Sequence, residues 1–355
     1  MISSPSLDNR FFQVYVTPEA IDLPAFQRAL RCLGNLPITS VDTPEGVPLE
    51  HRNERTLFVT SSRGQTVGEC PGSRGHICCN YLTVDLYLGC TVGCTYCIMK
   101  SYLNYSPLTV YADPQPSIQR IRSLALKNPH RILRVGTGET GDSLLLDPLF
   151  DLSREFIEGL SDLENVRFEM KTKTTHVDHL LDIPRKGHSV IAFSLNAPDL
   201  QEEEGNSAPI AERIAAASRA SRAGYGVAFH FDPIIRFPGW KESYTETLNL
   251  IRTLPVDKIA WISLGTIRYP PALRDRLEDR RYLYDEFVPC RDGKYRYLQK
   301  TRVEIYRWFI SNLSQITRAP VYLCMESAAV WKAVYGAPPL KIGFLRDIFT
   351  RIKFE

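Results

Sequence analysis

The chain lacks what a membrane protein or an exported scaffold would need. No run of 18 apolar residues occurs in its 355 residues, so no membrane span is expected. Met1–Arg10 has no basic flank leading into an apolar stretch, and no secretory signal is expected. Neither sign of charge dominates. Lys and Arg number 43 against 40 Asp and Glu, a net +3 that does not by itself argue for nucleic acid. No repeat of fixed period and no low-complexity tract is present. Hydrophobic residues at 44% and charged residues at 23% are ordinary for a soluble globular protein. A chain of this length should bury about three-quarters of its unfolded surface without help from disulfides. The expectation is a soluble cytoplasmic protein two to three domain lengths long.

Cysteine is what the chain does have. Nine are present, an odd number at uneven spacing, which argues against a disulfide framework and for metal or redox chemistry. Cys90, Cys94 and Cys97 lie within eight residues of one another. The others are Cys32, Cys70, the adjacent Cys78 and Cys79, Cys290 and Cys324, and none falls between 97 and 290.

Periodicity divides the chain into three regions: residues 1–80, a small α/β extension; 81–270, an alternating core; and 271–355, a carboxy-terminal region. In the first, Phe11–Val16 reads as a strand, Leu23–Leu33 as a helix, and the glycine-rich Gly64–Gly75 as the seam. In the second, strands are expected at Leu82–Leu88, Arg131–Gly136, Val166–Thr172, Ser189–Leu195, Tyr225–Pro233 and Ile259–Ile267. Helices are expected between them at Ser117–Lys127, Leu149–Leu160, Ile210–Ala223 and Ser243–Leu254. In the third, a helix near Lys300–Gln315, a strand Val321–Met325 and a short helix around Val330 follow. Six βα units in a row imply a parallel sheet, open or barrel-like, with ligands beyond the carboxyl ends of its strands.

The first strand of this series runs into Gly89-Cys90-Thr-Val-Gly-Cys94-Thr-Tyr96-Cys97, a C-x3-C-x2-C loop. Three thiols so close cannot pair among themselves without leaving one over, but they can wrap one cluster of soft metal. A [4Fe–4S] cube has four irons, so three cysteines leave one iron open to a further ligand. A structural zinc site would need a fourth protein ligand, and buried free thiols are the plainer reading. The second strand runs into Gly136-Thr-Gly138-Glu139-Thr-Gly141-Asp142-Ser143. Glycines at a strand end let a ligand approach the backbone, and a carboxylate there can hold an ammonium. By itself such a stretch is an ordinary βα turn.

The cysteine loop resembles that of radical S-adenosylmethionine enzymes, and further stretches resemble the spore photoproduct lyase family. These are Lys173 with His176-Val-Asp-His179, Phe193-Ser194-Leu-Asn196, Arg213, Ala223-Gly-Tyr225, Pro233-Ile234, Gly239-Trp240, Gly293-Lys-Tyr295 and Val14-Tyr-Val-Thr-Pro. The resemblance implies a partial (β/α)6 barrel with additions at both ends. It implies a [4Fe–4S] cluster on Cys90, Cys94 and Cys97 whose open iron takes S-adenosylmethionine. Reductive cleavage would then give a 5′-deoxyadenosyl radical that abstracts hydrogen from substrate, with a flavodoxin- or ferredoxin-like reducing partner. Gly136, Gly138 and Glu139 would bind the methionyl amine. Tyr96, Lys173, Ser194, Asn196 and Arg213 would surround the rest of the cofactor, which suits their donors and acceptors. Lys294-Tyr295-Arg296-Tyr297 would correspond to a hairpin that inserts at the lesion, and Asp142 and Ser143 are further substrate-side candidates.

Other features have plain readings. His176 and His179 have no third ligand nearby and are expected to be packed or solvated. Gln201-Glu-Glu-Glu204 is expected to be a solvated loop, and Cys78-Cys79 to be packing. Arg268–Arg318 holds 12 Lys or Arg against 7 Asp or Glu, interleaved with Tyr282, Tyr284, Tyr295, Tyr297, Tyr306 and Trp308. That composition suits phosphate contact and base stacking, or a solvated helix face over an aromatic core.

The pattern breaks beside the reaction centre. The family's hydrogen-donor cysteine after the second strand aligns with Glu139, and Gly136–Asp147 contains no cysteine. The aromatic that follows the third cluster cysteine is replaced by Ile98. The expectation is therefore a radical S-adenosylmethionine enzyme with a diverged, nucleotide-like substrate and no membrane partner. The runner-up is a true thymine-dimer lyase with another donor, such as Cys290 or Cys324. The third reading is a non-catalytic cluster- or zinc-binding nucleic-acid module.

Overall fold

Strand register decides which side chains share a face, and here it separates an apolar outside from a polar inside. The structure, a computed structural model, describes residues 11–61, 67–73, 75–103, 107–274 and 280–350. Of the expected seam Gly64–Gly75, residues 64–66 and 74 lie outside the described residues, as do 275–279 of the basic region.

Val166–Thr172 forms as expected, and Leu133–Thr137, Val190–Ser194, Gly226–Ile234 and Ile259–Thr266 form within two residues of expectation. They lie side by side and parallel, with Leu82–Val84 beyond the first and Val321–Leu323 beyond the last. Val67–Glu69 adds an antiparallel edge. The sheet curls into a half-barrel, the expected α/β partial barrel. Its first and last loops meet in one antiparallel bridge between Ile77 and Glu326.

Helices Gln115–Lys127, Leu152–Leu160, Ile210–Arg222 and Trp240–Ile251 link successive strands. Each buries an apolar stripe, as with Ile118, Ile121, Leu124 and Ala125. The strand faces they cover are apolar too: Val135, Phe168, Met170, Phe193, Phe229, Ile262 and Leu264 are all buried. No helix among the described residues is long and apolar enough to cross a membrane.

A second sheet runs in the order Ile38–Ser40, Gln13–Val16, Thr56–Thr60, Leu108–Tyr111, Tyr87–Leu88. Hydrogen-bonded pairing therefore crosses the expected seams: Leu108–Tyr111 joins the amino-terminal sheet, and Val321–Leu323 extends the barrel sheet. Two elements differ from the periodicity. The run Leu82–Leu88 is two strands, because the chain turns at Asp85, whose carboxylate accepts a hydrogen bond from Thr140 at 3.0 Å, and leaves one sheet for the other. Leu149–Leu160 is interrupted at Asp151, which has φ +54° and holds Arg154 at 2.8 Å.

Register partners share a face, so Arg134, Gly136, Glu169, Lys171, Ala192, Ser194, His230 and Trp261 line the inside of the curl. The Arg134 guanidinium lies 4.3 Å from the Trp261 ring and 5.0 Å from that of Tyr322, whose hydroxyl it reaches at 2.9 Å. Glu169 accepts from Trp261 at 2.9 Å and pairs with His230 at 2.7 Å. Burial alone would raise the Glu169 carboxyl, but His230 and Arg134 outweigh it and hold it down at about 2.

Gly136 is part of this lining. A Cβ there would fall 1.9 Å from the Tyr81 hydroxyl and 2.5 Å from the Glu169 carbonyl. Gly136→Ala should therefore destabilise the fold by about 1–3 kcal/mol through overpacking. A thermal midpoint equal to the parent's would show that the lumen has slack at this point.

Candidate functional site

The chain enters the cysteine loop through Gly89 at φ +88°, where a Cβ would fall 2.9 Å from a Leu108 methyl. Gly89 donates its N–H to Thr140 at 3.0 Å and bridges to Gly141, so the cysteine loop and the glycine-rich loop are fastened together. A cavity of about 530 Å³ opens at the carboxyl ends of the strands. Cys90, Cys94, Cys97, Gly138, Glu139, Asp142, Lys173 and Ser194 line it, with Lys171 and Lys100. Burial raises the Cys90 thiol beyond the usual range and pushes Cys94 up to about 11, with Lys173 opposing the rise. Thiols so enclosed keep their protons until a cation displaces them.

Within the glycine-rich loop the side chains divide their work. Gly138, at φ +91°, packs against Ser143 and the Lys171 carbonyl. Asp142 organises the turn, accepting from the Leu144 and Leu145 amides at 3.0 Å each and from Thr172 and the Lys173 amide at 2.7 Å each. Ser143 is fully buried, and its hydroxyl accepts from Thr137 at 2.6 Å and the Lys171 amide at 2.9 Å. Glu139 faces the cavity and binds the Lys171 ammonium at 2.6 Å. Burial opposes the Lys171 charge, and Glu139 beside it outweighs the penalty and raises its pKa. This carboxylate already holds an ammonium.

Glu204 corrects the reading of Gln201–Glu204 as a solvated loop. It has no exposed surface and receives Lys173 at 2.6 Å, Arg213, the Tyr96 hydroxyl and, at 3.5 Å, the Asn196 amide. Burial alone would raise its carboxyl, but Lys173 and then Arg213 hold it down at about 2. The same loop braces the cysteine loop. Thr95 donates its N–H to the Glu203 carbonyl at 2.9 Å, and Asn206 donates to Val92 at 2.7 Å. A Cβ on Gly205 would fall 2.3 Å from the Val92 carbonyl, so only glycine permits that approach.

Of the residues expected around the cofactor, Lys173 and Ser194 reach the cavity wall, while Tyr96, Asn196 and Arg213 gather behind it around Glu204. Arg213 has no exposed surface and also donates to Ala208 at 2.6 Å, Ser194 at 2.7 Å and Ser207 at 2.6 Å. Nothing in the run of three glutamates marks the third as buried, although the following Gly205-Asn206 marks a turn.

The expected hairpin is present. Tyr295–Tyr297 pairs antiparallel with Phe287–Pro289 and with Arg268–Tyr269, turning at Gly293 with φ +78°. Lys294 reaches Ser73 at 3.1 Å, and Tyr295 stacks on Tyr269 at 5.7 Å. Arg296 is buried on Asp292 at 2.7 and 2.8 Å, and Tyr297 is buried against Phe287 at 4.5 Å. Tyr282 and Tyr306 are also buried, whereas Tyr284 is exposed. Cys290 sits at the hairpin turn, its thiol 3.8 Å from the Val288 carbonyl. Cys324 follows the strand Val321–Leu323, its N–H donating to the Leu264 carbonyl at 2.7 Å, and its thiol helps hold the Asp232 carboxyl down after Arg268. His179 pairs with Asp147 at 2.8 Å and His176 with the Leu144 carbonyl at 3.2 Å, a packed role for both.

A family model described as spore photoproduct lyase matches residues 76–270. The spore photoproduct lyase of Bacillus subtilis is 27% identical over 259 residues, covering 69% of this chain and 74% of the relative. That of Clostridium acetobutylicum is 21% identical over 333 residues, covering 87% and 96%. A solved spore photoproduct lyase complexed with dinucleoside spore photoproduct has a TM-score of 0.75 at 22% identity, covering 88% of this chain and 98% of that one. A substituted form with bound AdoMet and the same dinucleoside has a TM-score of 0.75 at 21% identity. At these identities the solved structures speak for the fold.

Removing the Glu204 charge would leave two buried cations unanswered. Glu204→Gln should cost about 3–5 kcal/mol near pH 7. A carboxyl lowered from 4.5 to about 2 contributes fully above its unfolded pKa and loses that contribution as pH falls toward about 2. The gap between variant and parent in denaturant titrations should therefore narrow below about pH 4.5. A gap that is absent at pH 7, or constant with pH, would contradict this role.

Proposed function

Because the chain belongs to the spore photoproduct lyase family of radical S-adenosylmethionine enzymes, we propose that it acts on a diverged, nucleotide-containing substrate held inside the half-barrel. The observation that carries this reading is the shared cavity wall. The thiols of Cys90, Cys94 and Cys97 meet Glu139, Lys173 and Ser194 there, in a volume within the range of small-ligand sites, beside a polar lumen.

Cys90, Cys94 and Cys97 would hold a [4Fe–4S] cluster as thiolates, three soft ligands within one loop. When bound and reduced by a flavodoxin- or ferredoxin-like partner, cluster and S-adenosylmethionine supply a 5′-deoxyadenosyl radical that takes hydrogen from substrate. The chain's own residues bind and orient. Lys173 donates to the cofactor carboxylate from a position set by Glu204. Glu139 accepts the methionyl ammonium in place of Lys171, and the Ser194 hydroxyl suits the ribose. Tyr96, Asn196 and Arg213 act through Glu204 rather than by touching the cofactor. On the substrate side, Lys171, Lys294 and Tyr295 offer cationic and stacking surface. Family membership sets aside the non-catalytic module.

The second reading, a thymine-dimer lyase with another donor, has its own support. A solved relative is complexed with dinucleoside spore photoproduct, and Cys324 shares the lumen face with Ser263 and Tyr322. The distinguishing assay gives reduced enzyme and S-adenosylmethionine the photodimer dinucleotide and counts restored thymines. We expect little repair and 5′-deoxyadenosine formation uncoupled from it. Many turnovers, lost in Cys290→Ala or Cys324→Ala, would establish the second reading.

Two further outcomes test the shared chemistry. Alanine at Cys90, Cys94 or Cys97 should abolish reductive cleavage of S-adenosylmethionine, and a brown protein with a normal 5′-deoxyadenosine yield would refute the ligand set. Glu139→Gln should weaken cofactor binding by about 1.5–3 kcal/mol, read by equilibrium titration. Unchanged affinity with lost product would make Glu139 a substrate-side group.

A further inference from the structure

The sequence reads Cys78-Cys79 as packing, yet the fold brings these thiols to Cys70. Val67–Glu69 pairs antiparallel with Leu82–Val84, and the neck of that hairpin is closed by the Cys70 N–H donating to the Tyr81 carbonyl at 2.8 Å. The intervening loop folds back so far that a Cβ on Gly72 would lie 3.8 Å from the Cys70 carbonyl oxygen and 3.9 Å from the Cys78 Cβ. The loop's other side is tied down by the Ile77 N–H, which donates to Glu326 at 2.9 Å. In this frame Cys78 lies beside Gly72 in the loop that begins at Cys70 and is adjacent to Cys79 in the chain, and both neighbouring thiols raise it. All three are half-buried and unpaired by any disulfide.

We propose that Cys70 and Cys78 form a thiol–disulfide site that takes small-molecule disulfides as oxidants, with Cys79 as the assisting third thiol. Cys70 on the lumen-facing hairpin neck is the attacking sulfur. It displaces one thiolate from the small disulfide and becomes a mixed disulfide. Cys78 gives its proton to that departing thiolate, attacks the Cys70 sulfur beside Cys79 and expels the second small thiolate, which takes a proton from water. Two thiol hydrogens and two electrons thus leave Cys70 and Cys78, one S–S bond breaks, one forms, and two small thiols depart.

The surroundings favour this assignment of roles. The contact with the Cys78 thiol lowers both flanking sulfurs, Cys79 to about 6, which favours the thiolate form of the attacking sulfur. Cys78 is raised, as befits the sulfur that shares its proton with both. A direct Cys78–Cys79 bond would close a strained ring between adjacent residues, whereas Cys70 and Cys78 meet across a folded loop. The charges of Glu139 and Lys294 reach Cys70, so closure would fix the rim of the lumen beside the hairpin that reaches it.

The test uses anaerobically reconstituted holoenzyme, in which iron holds the cluster sulfurs. Oxidised glutathione is added, free thiols are alkylated, and the protein is digested with trypsin. Arg74 lies between the two cysteines, so a Cys70–Cys78 bond keeps two tryptic peptides together until reduction. The expected result is loss of two alkylatable thiols per chain and appearance of that linked pair. Cys78→Ser should abolish the pair, and Cys79→Ser should keep it but slow its formation. Three free thiols after oxidation, glutathione adducts alone, or a linked pair that survives Cys78→Ser would each overturn the site. An unchanged rate in Cys79→Ser would remove Cys79 from it.

Discussion

A carboxylate with no exposed surface must be answered by cations, and Glu204 is answered by two. That pairing organises much of the site. Lys173 is drawn to the cavity wall, the Tyr96 hydroxyl is drawn away from it, and Arg213 is committed to carbonyls behind it. The loop that carries Glu204 also holds the cysteine loop by backbone bonds from Thr95 and Asn206. The cysteine loop and the two cations therefore share one brace. One negative and two positive charges leave a single positive charge in excess, which suits an incoming carboxylate.

The same rule shapes the lumen. Its inner face is charged and aromatic, but the charges come in pairs: Glu169 with His230, Lys171 with Glu139, and Asp232 with Arg268 at 3.0 Å. Glycines thin the wall. A Cβ on Gly265 would collide with Asp232 at 2.7 Å, just as one on Gly136 would collide with Tyr81. A lumen of this kind favours a polar ligand with flat rings over an aliphatic one, because aromatic faces and hydrogen-bonding groups lie side by side. The hairpin beside it adds less than its composition suggests, since Arg296 and Tyr297 are consumed in holding the hairpin together and only Lys294 and Tyr295 remain to reach outward.

How much of this the sequence shows depends on how local each cause is. The barrel strands are legible because both their faces are dictated by near neighbours and their ends by glycine or proline. Leu82–Leu88 misleads because its apolar pattern continues through Asp85, where the chain changes sheets to reach Leu108–Tyr111. The cysteine loop is legible because all three thiols lie in eight residues. Glu204 is not, since the partners that bury it are Tyr96, Lys173, Asn196 and Arg213, and no window holds them all. Gly136 has a legible need for a missing side chain, and the Tyr81 hydroxyl lies where that side chain would begin.

The replacement at position 139 follows the same logic of paired charge. A thiol there would leave the Lys171 ammonium without the carboxylate that raises its pKa, and burial would then oppose its charge. Glu139 and Lys171 are thus one unit, and the expected donor thiol has given way to an ion pair rather than to a single carboxylate. Lys171 in the strand and Lys173 just past its end stand two residues apart, each held by its own glutamate, Glu139 and Glu204. Glu139 thereby sits where the cavity wall meets the lumen, its charge answered by Lys171.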